Sequence, residues 1–189
     1  MHNLWSTPFL ITQSDNKVRE RFVNYLLQEY DIFNPPNDIN KIDILQDPSP
    51  EVQEFVSKVI KPSFEKFLNE SLGLSFSDWK GYRLNGWITG SGKNYSMIHH
   101  NHSGSQISSV FYLLSDSVDE GGKIVFTDPR QNANRGYDTK FSKWFSPLEI
   151  KPKSGDVVVF PSYLYHFVET YQSNLRLALP VDCFLFANS

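Results

Sequence analysis

The chain has 189 residues, of which 40% are hydrophobic and 15% aromatic, and a formal net charge of −3. That much apolar material builds one domain with a real core and excludes a disordered chain. Lys and Arg form no long run, and no apolar stretch approaches the roughly 20 residues that cross a bilayer, so neither nucleic-acid binding nor membrane insertion is expected.

The opening Met1-His2-Asn3-Leu4-Trp5 has no basic segment leading into an apolar run, so no signal peptide is expected. Ser14 or Asp15 can cap a first helix, in which Val18, Phe22, Tyr25, Leu26 and Glu29 fall at helical spacing while Arg19, Glu20 and Gln28 stay in water. Asn34-Pro35-Pro36-Asn37 breaks that pattern. Ser49-Pro50-Glu51 starts a second helix: an N-cap hydroxyl, proline at the first helical position, and an acid near the positive end of the helix dipole. Val52, Phe55, Val56, Val59, Ile60, Phe64, Phe67 and Leu68 then form one broad apolar face. Pro62 predicts a kink and Gly73 the stop.

After Gly73 the chain becomes short β-rich runs separated by turn residues. Strands are predicted at Trp79–Ile88, Tyr95–His102, Ile107–Leu114, Lys123–Thr127, Asp156–Phe160, Tyr165–Tyr171 and Leu175–Phe186. Gly90-Ser91-Gly92, Glu120-Gly121-Gly122 and Ser154-Gly155-Asp156 supply turns, and residues 128–146 read as a long loop able to close over a site. The expected fold is mainly β with N-terminal helices. It is a two-sheet barrel or jelly roll over residues 74–189, buttressed on one sheet by residues 1–73, all within a single domain.

Three of the five histidines stand in one run, His99-His100-Asn101-His102. Imidazole is neutral near pH 7 and offers a lone pair, so spaced histidines can grip a transition metal. In a strand, side chains two apart share a face at roughly 6–7 Å, so His100 and His102 point one way and His99 the other. His166 follows the apolar run Val157-Val158-Val159-Phe160 and arrives from a distant strand. Two ligands close in sequence and a third far away suit a metal clamped between two strands of one β-fold. His2 and His99 read as surface or supporting groups. Zinc is a reasonable occupant of three histidines, so the spacing yields a metal site without naming the metal. Arg176 lies among Leu175 and Leu177-Ala178-Leu179, and a guanidinium buried in such company needs an anion.

Longer stretches carry a resemblance. They are His100-Asn101-His102-Ser103-Gly104-Ser105-Gln106-Ile107-Ser108-Ser109-Val110-Phe111-Tyr112-Leu113, Gly121-Gly122-Lys123-Ile124-Val125-Phe126-Thr127-Asp128-Pro129-Arg130, Ile150-Lys151-Pro152-Lys153-Ser154-Gly155-Asp156, Phe160-Pro161-Ser162, His166 and Arg176, with the opening Leu4-Trp5-Ser6-Thr7-Pro8. Through them the chain resembles the Fe(II)- and 2-oxoglutarate-dependent oxygenases, and more closely a small bacterial and phage branch related to prolyl 4-hydroxylases. The resemblance implies a double-stranded β-helix (jelly roll, cupin-like) with Fe(II) in its mouth, 2-oxoglutarate as cosubstrate and O2 as oxidant. His100 matches the first iron ligand and His166 the distal one. The middle position, Asp or Glu in the wider superfamily, is His102. Three options follow: His102 completes the site, a carboxylate such as Asp128 or Asp116 comes from elsewhere, or the position stays open as in related halogenases. The shared face of His100 and His102 favours the first. Arg176, ten residues past His166, matches the clamp for the cosubstrate's 5-carboxylate. Tyr112 matches a tyrosine that helps hold the same group, and Ser162 and Tyr95 are further pocket candidates. Arg130 is a candidate contact for the prime substrate or a lid. Gly121-Gly122 reads as a structural turn, and Trp87, Trp144 and Tyr163 as core or rim packing.

The resemblance implies hydroxylation of an aliphatic C–H, by kinship on a prolyl residue of a peptide or a free amino acid, with succinate and CO2 as co-products. Two alternatives stay open: a three-histidine dioxygenase or cupin-type enzyme without 2-oxoglutarate, and a non-catalytic jelly-roll binding module of the kind phage particles use. The expected partner is a small-molecule or peptide substrate, with no nucleic acid and no membrane. The lone Cys183 cannot form an internal disulfide, which fits a reducing cytoplasm, bacterial or of a phage's host.

Overall fold

The structure, a computed structural model, describes residues 6–32, 43–115, 121–130 and 147–188. Leu4-Trp5, His2, residues 34–37, Asp116, Trp144 and most of the 128–146 loop lie outside them. A first strand, β1 (Leu10–Gln13), precedes helix α1 (Asn16–Glu29). Asp15 caps α1 by accepting from the Val18 N–H at 2.9 Å, and Val18, Phe22, Val23 and Leu26 are its buried side.

The second helical segment runs α2 (Pro50–Phe55), a π-helical stretch (Val56–Ile60) and α3 (Lys61–Leu72). The irregularity foreseen at Pro62 is thus a widened turn just before it. Proline has no N–H and its ring crowds the carbonyl four residues back. Here the turn opens so that the Lys61 N–H bonds Val56 O, five residues back. Gly73, at φ +66°, ends α3, with its N–H on Asn69 O and the Leu74 N–H on Leu68 O.

The β strands are β2 (Gly81–Gly86), β3 (Thr89–Ser91), β4 (Met97–His100), β5 (Ile107–Ser115), β6 (Ile124–Phe126), β7 (Leu148–Ile150), β8 (Asp156–Pro161), β9 (His166–Val168) and β10 (Arg176–Phe186). The larger antiparallel sheet has the order β1-β8-β5-β10-β2, with β3 also on β10; the smaller is β4-β9-β6-β7. Strands β1, β3 and β7 add to the sequence reading, and β4 ends at His100, short of His102.

Alternation along the central strands divides the interior into two cores. Phe111, Leu113, Val157, Val159, Leu177, Leu179, Val181 and Cys183 face the helices and pack with Phe22, Phe55, Ile60 and Phe64. Val110, Tyr112, Val158, Phe160 and Ala178 face the smaller sheet and pack with Ile124, Phe126 and Leu164. The two facing sheets, helices on one of them, form the double-stranded β-helix. Among the described residues no helix is long and apolar enough to cross a membrane.

Candidate metal centre

His100 ends β4 and His166 starts β9, opposite each other in one antiparallel register. His102 lies two residues past the end of β4, where its backbone N–H donates to Ser162 O at 3.0 Å. The ring centroids of His100 and His166 are 4.4 Å apart, and those of His102 lie 5.4 and 5.3 Å from them. One donor nitrogen from each of the three falls within 4.8 Å of the others. His102 therefore joins His100 through the loop beyond the strand rather than through the alternation of a continuous strand. His99 points away, its Nε2 paired with Thr127 Oγ1 at 3.0 Å and its ring stacked on Tyr165.

Each Nδ1 of the trio faces an acceptor. His100 Nδ1 donates to Ile98 O at 2.7 Å, His166 Nδ1 to Leu164 O at 3.0 Å, and His102 Nδ1 to Asp182 Oδ1 at 2.8 Å. Protonated Nδ1 on three rings leaves three Nε2 lone pairs free to converge on one ion. Burial lowers the pKa of His100, and pushes that of His166 down to about 4. Both rings are thus neutral at pH 7, the form that binds metal. The donor set fits a first-row divalent cation, with one open side.

That side opens on a cavity of about 90 Å³, walled by Val110, Ile124, Val168 and Ala178, with Trp87 and Tyr95 on its border. Arg176, Ala178 and Pro180 of β10 line the cavity on alternate positions, and Arg176 is 3% exposed. Its Nη1 donates to Gly122 O at 2.7 Å, and its guanidinium lies 4.7 Å from the Tyr112 ring centre and 5.6 Å from that of Tyr171. No carboxylate of the described residues pairs with it. The cavity holds a buried cation with donors to spare, so its complement is an anion. Burial pushes the Tyr112 and Tyr95 hydroxyls above the ordinary phenol range, so both are protonated and can donate to such an anion.

Two predicted positions sit elsewhere. Ser162 is buried but does not line the cavity; its hydroxyl lies between Ser105 and Ser108, each at 2.8 Å. Its backbone carbonyl accepts from the His102 N–H, so Ser162 holds the loop that carries His102. Arg130 pairs with Asp128 (Nε to Oδ1 2.9 Å) and lines a separate groove with Phe9, Phe126 and Leu148. Asp128 is thereby engaged away from the histidines. Asp182, absent from the sequence reading, stands in phase with Arg176 along β10, a periodicity legible in Arg176-Leu177-Ala178-Leu179-Pro180-Val181-Asp182.

The family model described as "Putative 2OG-Fe(II) oxygenase" matches residues 85–182, just over half of the chain. The chain belongs to this 2OG-Fe(II) oxygenase family. Membership implies Fe(II), 2-oxoglutarate and O2 as the cofactor set. A comparison with curated protein sequences finds no match. Among solved structures, the chain is similar to a 2OG-Fe(II) oxygenase family oxidoreductase from Burkholderia pseudomallei (19% identity, 74% of this chain and 60% of that one, TM-score 0.52). It thus spans less than two thirds of that relative's length. It is also similar to a prolyl-4-hydroxylase from Pseudomonas putida (12% identity, 97% and 90%, TM-score 0.61). A third is a viral collagen prolyl hydroxylase from Paramecium bursaria Chlorella virus 1, solved as its 2OG complex (13% identity, 97% and 98%, TM-score 0.59). At these identities the likeness is one of fold, and it extends over the helices as well as the barrel.

Proposed function

We propose that the chain is a 2-oxoglutarate-dependent hydroxylase of an aliphatic C–H, with His100, His102 and His166 as the ligands of Fe(II). The observation that carries this reading is the convergence of three Nδ1-anchored imidazoles on a cavity that is also lined by the buried guanidinium of Arg176. Fe(II), when bound with 2-oxoglutarate and O2, supplies the oxidative decarboxylation to succinate and CO2 and the oxidation of the C–H bond.

The chain's own part is positioning and shielding. The three Nε2 atoms would hold the ion, with the cavity beside them free for the cosubstrate. Arg176 offers its guanidinium to the distal carboxylate of the cosubstrate, with Tyr112 and Tyr95 as neutral donors on the same wall. Val110, Ile124, Val168 and Ala178 keep water away from the reacting atoms. Trp87, half-buried and 5.9 Å from the His102 ring centre, borders the mouth where a substrate ring would enter. In this reading the helices to residue 73 buttress the barrel of residues 74–189 as parts of one domain. The prolyl residue of a peptide, or a free amino acid, is the substrate class, by kinship to the prolyl hydroxylases of the same fold.

The test is succinate formation from 2-oxoglutarate by the purified chain with Fe(II) and O2, with and without proline-containing peptides and free proline. Stimulated succinate release, with a mass gain of one oxygen on the prolyl ring, is expected. Absence of Fe(II)-dependent succinate under every condition would overturn the activity.

A further inference from the structure

We infer that Asp182 is the positioning residue for His102 and, among the described residues, the source of negative charge at the metal centre. The inference rests on the metal reading above and concerns how that site is held.

His100 and His166 are fixed locally. Each Nδ1 bonds the carbonyl two residues earlier, and both residues belong to paired strands. His102 has neither advantage, since it stands beyond the end of β4 and its ring is oriented from outside its own segment. Asp182, on β10 of the other sheet and 80 residues away, accepts from His102 Nδ1 at 2.8 Å, and Trp87 lies against the ring. Both strengthen what a free loop would leave loose: the tautomer with Nδ1–H and a ring turned so that Nε2 faces the other two histidines.

The surroundings of Asp182 are built for an anion. Ser108 Oγ donates to the same Oδ1 at 2.6 Å. A hydroxyl carries one proton, so at the 2.8 Å contact between Ser108 and Ser162 the donor is Ser162. Ser105 donates in turn to Ser162 at 2.8 Å. Three hydroxyl dipoles therefore point in one direction and end on the Asp182 carboxylate, with Ser108 and Ser162 fully buried. Three neutral imidazoles bring no charge to a divalent cation, and the cavity already contains the positive Arg176. Asp182 is the carboxylate of the described residues that touches a ligand ring, and it would act on a bound ion through that imidazole.

The experiment uses Co(II) as a spectroscopic probe on the full chain, with affinity read by competition against a chelator and coordination by the visible d–d spectrum. Asp182→Asn keeps size and an acceptor but removes the charge; Asp182→Ala removes both. The expected loss of Co(II) affinity is about tenfold for D182N and up to about 100-fold for D182A. The D182A spectrum should approach that of His102→Ala. Because Asp182 acts through His102, D182A should cost little in a His102→Ala background. Equal affinity of D182N and wild type would overturn the charge assignment. D182A with wild-type affinity and spectrum, or an undiminished effect in the His102→Ala background, would overturn the positioning role. Cooperative melting of each metal-free variant checks the fold, and D182N, nearly isosteric, decides if D182A does not fold. A wild-type chain that binds no Co(II) would instead remove the metal reading itself, so the two failures are distinguishable.

Discussion

Arg176 Nη1 donates to Gly122 O at 2.7 Å across 54 residues of sequence, tying the β10 guanidinium to the turn that leads into β6. Gly122 has φ +72°, and a Cβ there would stand 2.5 Å from Tyr171 Cδ2 and 3.3 Å from Arg176 Nη1. Only glycine lets the turn close over the guanidinium without strain. Gly122→Ala is therefore expected to weaken 2-oxoglutarate binding at least tenfold. It should also lower the melting temperature by several degrees, from strain of about 1–3 kcal/mol. Calorimetric titration with 2-oxoglutarate and a thermal melt measure both; unchanged affinity would separate the turn from the site.

Replacing Arg176 tests the cosubstrate role alone. Arg176→Ala is expected to cost about 2–5 kcal/mol of 2-oxoglutarate affinity, the scale for losing one partner of a buried charge pair. Arg176→Lys should fall between, keeping charge but losing the planar fork. Co(II) affinity should stay near wild type in both. A variant that loses metal and cosubstrate together would point to local unfolding instead.

Acid should destabilise the metal-free protein through His166. The unfolded imidazole takes a proton near pH 6.5, whereas burial holds the folded one at about 4. Between those values the unfolded state binds more protons, so stability falls as pH drops from about 7 toward 4. The loss is on the order of 3 kcal/mol from this group, with His100 shifted the same way. Urea unfolding at several pH values, compared with His166→Gln, measures it: the variant's profile should be flatter across that window. Parallel profiles would show that other groups govern the acid limb.

The helical layer should act on stability and not on metal chemistry. Phe55, 1% exposed, stacks on Phe22 at 4.5 Å and meets Phe111 of β5 edge-on at 5.9 Å, joining α1, α2 and the larger sheet. Phe55→Ala should cost about 3–5 kcal/mol and lower the melting temperature by roughly 10 °C. Co(II) affinity measured well below the melt should not change. A large loss of affinity would mean that the helices shape the site directly.

The parts of the molecule legible in the sequence are those whose side-chain pattern alone determines structure. β5, β8 and β10 are long apolar runs between turn residues, and the caps at Asp15 and Gly73 are single-residue signals. β1, β3 and β7 are three or four residues long and mix polar with apolar side chains, so their pairing comes from a neighbour's backbone and leaves little trace in the pattern. The three histidines were legible from their spacing and the distant His166. The hold on His102 was not, because its Asp182 partner lies on the other sheet. Gly122 reads as a turn residue, while the acceptor role of its carbonyl depends on a tertiary contact.

The most direct test of the central claim is an anaerobic titration of the metal-free chain with Fe(II) and 2-oxoglutarate, followed by visible absorption. The account predicts a charge-transfer band that needs both components, is lost in His102→Ala and His166→Ala, and requires far more 2-oxoglutarate in Arg176→Ala. No band from the wild-type chain, or an unchanged band in His102→Ala, would contradict it.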